Sequence, residues 1–147
     1  MPTPVWSPPL TGVFKLNVDA NLAVNAGLVG IGLVIRDAFG RVRAASSIKL
    51  TAFFFPLLAE VVVIFHGVRL AFNSGFLPVL VEYDALGAIN VLKEDSIPCS
   101  DLGLVIFDIF LVCRSLSVLS FSLIHRGVNK VADALAKATL SFIYNVV

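Results

Sequence analysis

Residues 14–20, FKLNVDA, alternate apolar Phe14, Leu16 and Val18 with polar Lys15, Asn17 and Asp19, the period of a strand with one buried face. Further strands are expected over 27–36 and 41–50. The turn-rich NLAVNAG joins the first pair, and a tight turn at Arg36-Asp37 and Phe39-Gly40 joins the second. Two short connections in succession dictate an antiparallel meander. The remainder of the chain must pack on that meander. A helix is expected over 56–74, with Pro56 in its first turn and Gly75 beyond its C-terminus. The run PVLVEYD, 78–84, is a short buried strand that comes after a helix and should therefore run parallel to an earlier one.

Beyond it the pattern predicts a short helix over 85–94, a break at 96–100 and a helix over 101–114. A strand over 117–124, a loop over 125–128 and a closing helix from Asn129 to about Phe142 complete the chain. The order is βββαβααβα, an α/β fold with a mixed five-stranded sheet and helices packed on it. Residues 1–12, with four prolines and Gly12, form an extended Pro-rich lead-in that Trp6 packs onto a single domain, 13–147.

Charge is scarce: 14% of the 147 residues are charged and 58% are apolar, against about 25% charged in ordinary domains. The mean hydropathy of +0.94 invites a membrane reading. However, the longest run without a charge is 16 residues, 20–35, and it holds Asn21, Asn25 and three glycines. A spanning helix needs ~20 apolar residues, so no membrane segment is expected. The opening MPTPVWSPP lacks the basic start and apolar core of a secretory signal. A net charge of +1 gives no long-range pull on nucleic acid, so any such contact must be local. Cys99 and Cys113 suggest neither a disulfide framework nor a zinc site and suit a reduced compartment, nucleus or cytoplasm.

Four carboxylates stand out by position: Asp19 closing the first strand, Glu60 on the inward face of the 56–74 helix, Asp84 closing the fourth strand, and Asp133 in the first turn of the last helix. Each has an ordinary explanation alone. Asp19 can open a turn at Ala20-Asn21, Asp84 can cap one, Glu60 can be a solvated first-turn acid, and Asp133 can favour the positive end of its helix. Glu60 shares its face with Ile64, Gly67 and Ala71, whose small members let the helix lie close to the sheet. If the strands ending at Asp19 and Asp84 are neighbours, four negative groups crowd one spot, and divalent cations would relieve their repulsion.

These residues also carry a resemblance. WSPPLTGVFKLNVDA, GLVGIGLVIRDAFGRV, LAEVVVIFHGVRLAFNSGF, VEYD and RGVNKVADALAK succeed one another with the order and spacing of the ribonuclease H family. The chain specifically resembles the plant ribonuclease-H-like domains related to retroelement reverse transcriptases, from Trp6 to about Leu140. The resemblance implies that Asp19, Glu60, Asp84 and Asp133 are catalytic metal ligands for two Mg²⁺ ions, with Mn²⁺ as substitute. It further implies endonucleolytic hydrolysis of the RNA strand of an RNA–DNA hybrid, leaving a 5′ phosphate. Asn21 and Asn25 are candidates for contacting the 2′-hydroxyl, and Arg126, Asn129 and Lys130, with Lys137, for contacting the substrate backbone. The family's glycine after the first acid is Ala20 here. Leu123 stands where members often have a histidine, which leaves His125 as a candidate substitute. The alternative is a catalytically degenerate domain that acts as a protein or nucleic-acid interaction module. Phe65, Phe72, Phe107, Phe110 and Leu111 on outward helix faces lead to an expectation of self-association or a protein partner.

Overall fold

A computed structural model of the protein describes residues 5–51, 56–93, 103–104, 107–108, 111 and 118–145. Its elements are β1 (Phe14–Ala23), β2 (Leu28–Arg36), β3 (Val42–Thr51), α1 (Pro56–Ser74), β4 (Val79–Tyr83), α2 (Leu86–Lys93), β5 (Val118–Leu123) and α3 (Lys130–Asn145). They form one five-stranded sheet in the order β3-β2-β1-β4-β5. The first three strands are antiparallel, as the meander requires, and β4 and β5 join in parallel to β1. Residues 103, 104, 107, 108 and 111 are helical; the rest of the expected 101–114 helix, Phe110 included, lies outside the described residues.

β1 is the central strand, and its two faces serve different helices. Leu16 and Val18 meet α1, where a Cβ on Gly67 would come within 2.8 Å of both side chains. Glycine at 67 lets α1 settle onto the sheet, and Glu60, two turns earlier, travels with it. On the other face α3 crosses β2 and rests on Gly32, where a Cβ would collide with the Ala132 carbonyl. Gly32 is paired with Asp19 across the β1–β2 ladder, so this close approach brings the start of α3 over the acid on β1.

Two expectations need correction. β1 does not end at Asp19. It continues through Ala20 and Asn21 to Ala23, because β2 pairs with it residue for residue as far as Ala23–Leu28. The turn comes later, as a short 3₁₀ segment at Val24–Ala26. The outward face of α1, on which Phe65 and Phe72 are expected, is also less exposed than its composition suggests. Val61 and Val68 are fully buried in the core and Phe65 packs against it, since α2 lies beside α1, with Leu57 next to Gly87. Phe72, Phe107 and Leu111 remain about half exposed. At 19 residues and a mean hydropathy of 1.4, α1 has the length and composition to cross a membrane. Its eight buried residues facing the sheet and α2 account for that apolarity within the fold.

Candidate active site

The parallel β1–β4 ladder sets Asn17 opposite Glu82, so two residues further on both strands Asp19 and Asp84 stand side by side. α1 supplies Glu60. Together with Ala20, Leu22, Tyr83, Ala85 and Arg126 these three acids line an open cleft of about 240 Å³. Asp133, in the first turn of α3, lies near enough for its carboxyl to interact with that of Asp19. The sheet order and the two glycine contacts thus bring together all four acids picked out by position.

The electrostatics of the four are unequal. Burial, then the neighbouring Asp84 charge, raise the Asp19 pKa to about 7, although the Ala20 N–H donates to its Oδ1 at 2.9 Å. Burial and Asp84 push Glu60 upward too. Burial and the surrounding carboxylates hold the Tyr83 hydroxyl well above its ordinary range, so Tyr83 is a neutral wall of the cleft. Partial burial works against ionisation of Asp133, but the Lys137 ammonium 3.0 Å away, the interaction with the Asp19 carboxyl and the charge of Arg126 outweigh it and lower its pKa. Lys137 is therefore committed to Asp133. Asp19 and Asp84 have no cation of their own among the described residues.

The other candidates fall in different places. Arg126 reaches the cleft wall. His125 is exposed, and its Nδ1 accepts the Gly127 N–H at 2.9 Å, capping the 3₁₀ turn Arg126–Val128 that presents Arg126. Leu123 ends β5, paired with Tyr83. Asn129 is buried: its Nδ2 donates to the Val18 carbonyl at 2.7 Å and its Oδ1 accepts from Asn17 at 3.3 Å, so it pins α3 to β1 beside Asp19. Asn21 lies on β1 and Asn25 in the 3₁₀ segment after it, and neither lines the cleft. Lys130 is exposed on the far flank of the 126–128 turn.

Sequence reasoning missed the polar layer under the cleft. Glu82 is 8% exposed, with Lys15 Nζ 3.3 Å from its Oε2 and Asn17 Nδ2 donating to its Oε1 at 3.1 Å. Asn17 in turn accepts the Trp6 indole N–H at 3.1 Å, which ties the Pro-rich arm to the base of β1. The signal was present, since Lys15, Asn17 and Asp19 share one parity on β1, but their common partner on β4 emerges only from the register.

The architecture is that of a ribonuclease-H-like domain. The fold matches that of ribonuclease H1 from the halophilic archaeon Halobacterium salinarum with a TM-score of 0.80 at 19% identity, over 88% of this chain and 98% of that one. LC11 ribonuclease H1, obtained from compost by a metagenomic approach and solved in complex with an RNA/DNA hybrid, matches with 0.77 at 20% identity, over 90% and 99%. The foamy viral protease-reverse transcriptase in complex with double-stranded DNA matches with 0.65 at 16% identity, over 86% and 92%. No curated protein matches the sequence. Residues 17–139 match the reverse transcriptase-like family, and the chain belongs to it.

Proposed function

We propose that the domain hydrolyses the RNA strand of RNA–DNA hybrids endonucleolytically, with Asp19, Glu60, Asp84 and Asp133 as its metal ligands. The observation that carries this reading is the convergence of Asp19, Glu60 and Asp84 on one open cleft, where Asp19 and Asp84 have no ion-pair partner among the described residues and burial with the Asp84 charge raises Asp19 to about 7. Titratable groups perturbed in this way in a cleft mark a functional-site candidate. The donor set suits hard divalent cations, being wholly carboxylate oxygen. Among the described residues no three of these groups are close enough to hold one ion as they stand; holding one would require the carboxylates to draw together around it. Two Mg²⁺ ions, or Mn²⁺ in their place, would supply a metal-activated water and charge neutralisation at the leaving 3′ oxygen.

The chain's own residues have definable parts. Arg126 meets the phosphate at the cleft rim, where its charge offsets the acids. Asn129 fixes the spacing of Asp19 and Asp133 by binding the Val18 carbonyl. Lys137 keeps Asp133 ionised. Ala20 narrows the backbone approach beside Asp19, where a glycine would leave it open.

A second reading, a catalytically degenerate interaction module, is favoured by that Ala20 methyl and by the spread of the acids. Labelled hybrid incubated with the protein, with and without Mg²⁺, separates the two. Metal-dependent cleavage giving 5′-phosphate ends is expected; an intact hybrid bound under both conditions supports the second reading instead.

A further inference from the structure

The 126–128 turn has two flanks. Arg126 faces the acid cleft, whereas Gly127 and Val128 face a second cavity of about 290 Å³ shared with Trp6, Arg36, Lys130 and Val131. The two cavities differ in charge. The first is lined by three carboxylates and one cation, the second by two cations, an indole ring and no acid. Arg36 comes from the end of β2 and sits over the Trp6 ring, its guanidinium carbon 4.4 Å from the centroid.

Among the described residues neither Arg36 nor Lys130 forms an ion pair. Burial disfavours the charged form of Arg36, and only the field of Glu82 opposes it. Glu82, however, is already committed to Lys15 and Asn17. A half-buried, stacked guanidinium beside a free ammonium lacks an anion, and a phosphodiester supplies one with the geometry a guanidinium prefers.

We infer that this second cavity is a phosphate subsite for a nucleic-acid strand that passes over the 126–128 turn from the acid cleft. The inference rests on the nucleic-acid reading of the cleft and adds to it a contact away from the chemistry. With a net charge of only +1, the chain has no long-range field to hold a polyanion. Local contacts of this kind must then supply its affinity, and each phosphate neutralised contributes ~0.7–0.9 to the slope of log K against log salt.

Trp6 is the sole tryptophan, so its emission reports on this cavity directly. The experiment titrates a labelled RNA–DNA hybrid into the full chain with Ca²⁺ at several salt concentrations. Hybrid anisotropy and Trp6 fluorescence are both recorded, for wild type, Lys130→Gln and Arg36→Lys. Lys130 is exposed and Arg36→Lys retains the charge, so both variants should fold, as circular dichroism will check. Wild-type binding is expected to change Trp6 emission. Lys130→Gln should weaken binding several-fold and lower the salt slope by ~0.7–0.9. Arg36→Lys should bind with a diminished emission change, because an ammonium does not stack as a guanidinium does. Hybrid binding with silent Trp6 and an unchanged slope in Lys130→Gln would overturn the subsite and leave the cleft's function standing. Absence of any hybrid binding by wild type would overturn both. Inorganic phosphate alone, if it reproduced the full emission change at the hybrid's concentration, would make this a free-anion site and overturn the strand reading.

Discussion

Two rungs of the same pair of strands bury acids to the same depth and treat them in opposite ways. On the lower rung Glu82 is 8% exposed and is met by the Lys15 ammonium and the Asn17 amide. Two residues further along, Asp19 is equally 8% exposed, yet it receives one backbone N–H and the repulsion of Asp84. Equal burial makes the contrast a matter of charge pairing alone. The lower rung is a finished structural element. The upper one lacks a cation of its own among the described residues, and that contrast is what makes it the candidate site.

Removing an upper-rung charge should have the largest effect. Asp84→Asn keeps shape but not charge, so hybrid cleavage is expected to fall by on the order of a hundred- to a thousandfold or more, as when a charge-stabilising group is lost. Circular dichroism should remain that of wild type. Undiminished cleavage in this variant would place the chemistry elsewhere.

On the lower rung the effect should fall on stability. Lys15→Met leaves Glu82 buried without its partner, and a loss of about 3 kcal/mol is expected in chemical denaturation. Replacing both, as Lys15→Met with Glu82→Leu, should recover much of that loss. A single variant as stable as wild type would mean that the pair contributes nothing and that the two rungs do not differ.

A smaller effect should appear in pH dependence without metal. A carboxyl whose folded pKa is raised contributes stability that is fully present below the unfolded value, near 4. That contribution is lost as pH rises through the folded value, about 7 for Asp19. The melting temperature should therefore decline by several degrees between pH 5 and 8 on this account. Asp19→Asn should flatten the decline and melt no lower than wild type at pH 8. A profile in Asp19→Asn parallel to that of wild type would contradict the raised pKa.

Much of this arrangement is legible in the amino-acid sequence. The bounds of α1 come from Pro56 and Gly75, and the sequence shows a meander followed by a parallel strand, whereas the strand that β4 joins emerges only from the pairing. The four acids can be picked out because each stands where an acid needs a reason, and Gly67 foretells the approach of α1. The extent of β1 is not legible, because Asn21 is a turn former by composition and only the partner strand overrides that preference. Burial of Val61 and Val68 is hidden for a related reason: helical periodicity distinguishes faces but does not say how many neighbours a helix has. The Lys15–Glu82 pair lies 67 residues apart in sequence, and only the parallel register joins it.

The central claim is that the upper-rung acids form one cation site, and metal-linked unfolding tests it most directly. Thermal melts of wild type and Asp84→Asn would be recorded as Mg²⁺, and separately Mn²⁺, is raised from zero to saturation. A ligand that binds only the native state stabilises it by RT ln(1 + [L]/Kd), about 2.7 kcal/mol at a hundred times Kd. The wild-type melting temperature is expected to climb with metal, while Asp84→Asn starts no lower and climbs less. Identical responses of the two proteins, or none in wild type, would contradict a shared cation site.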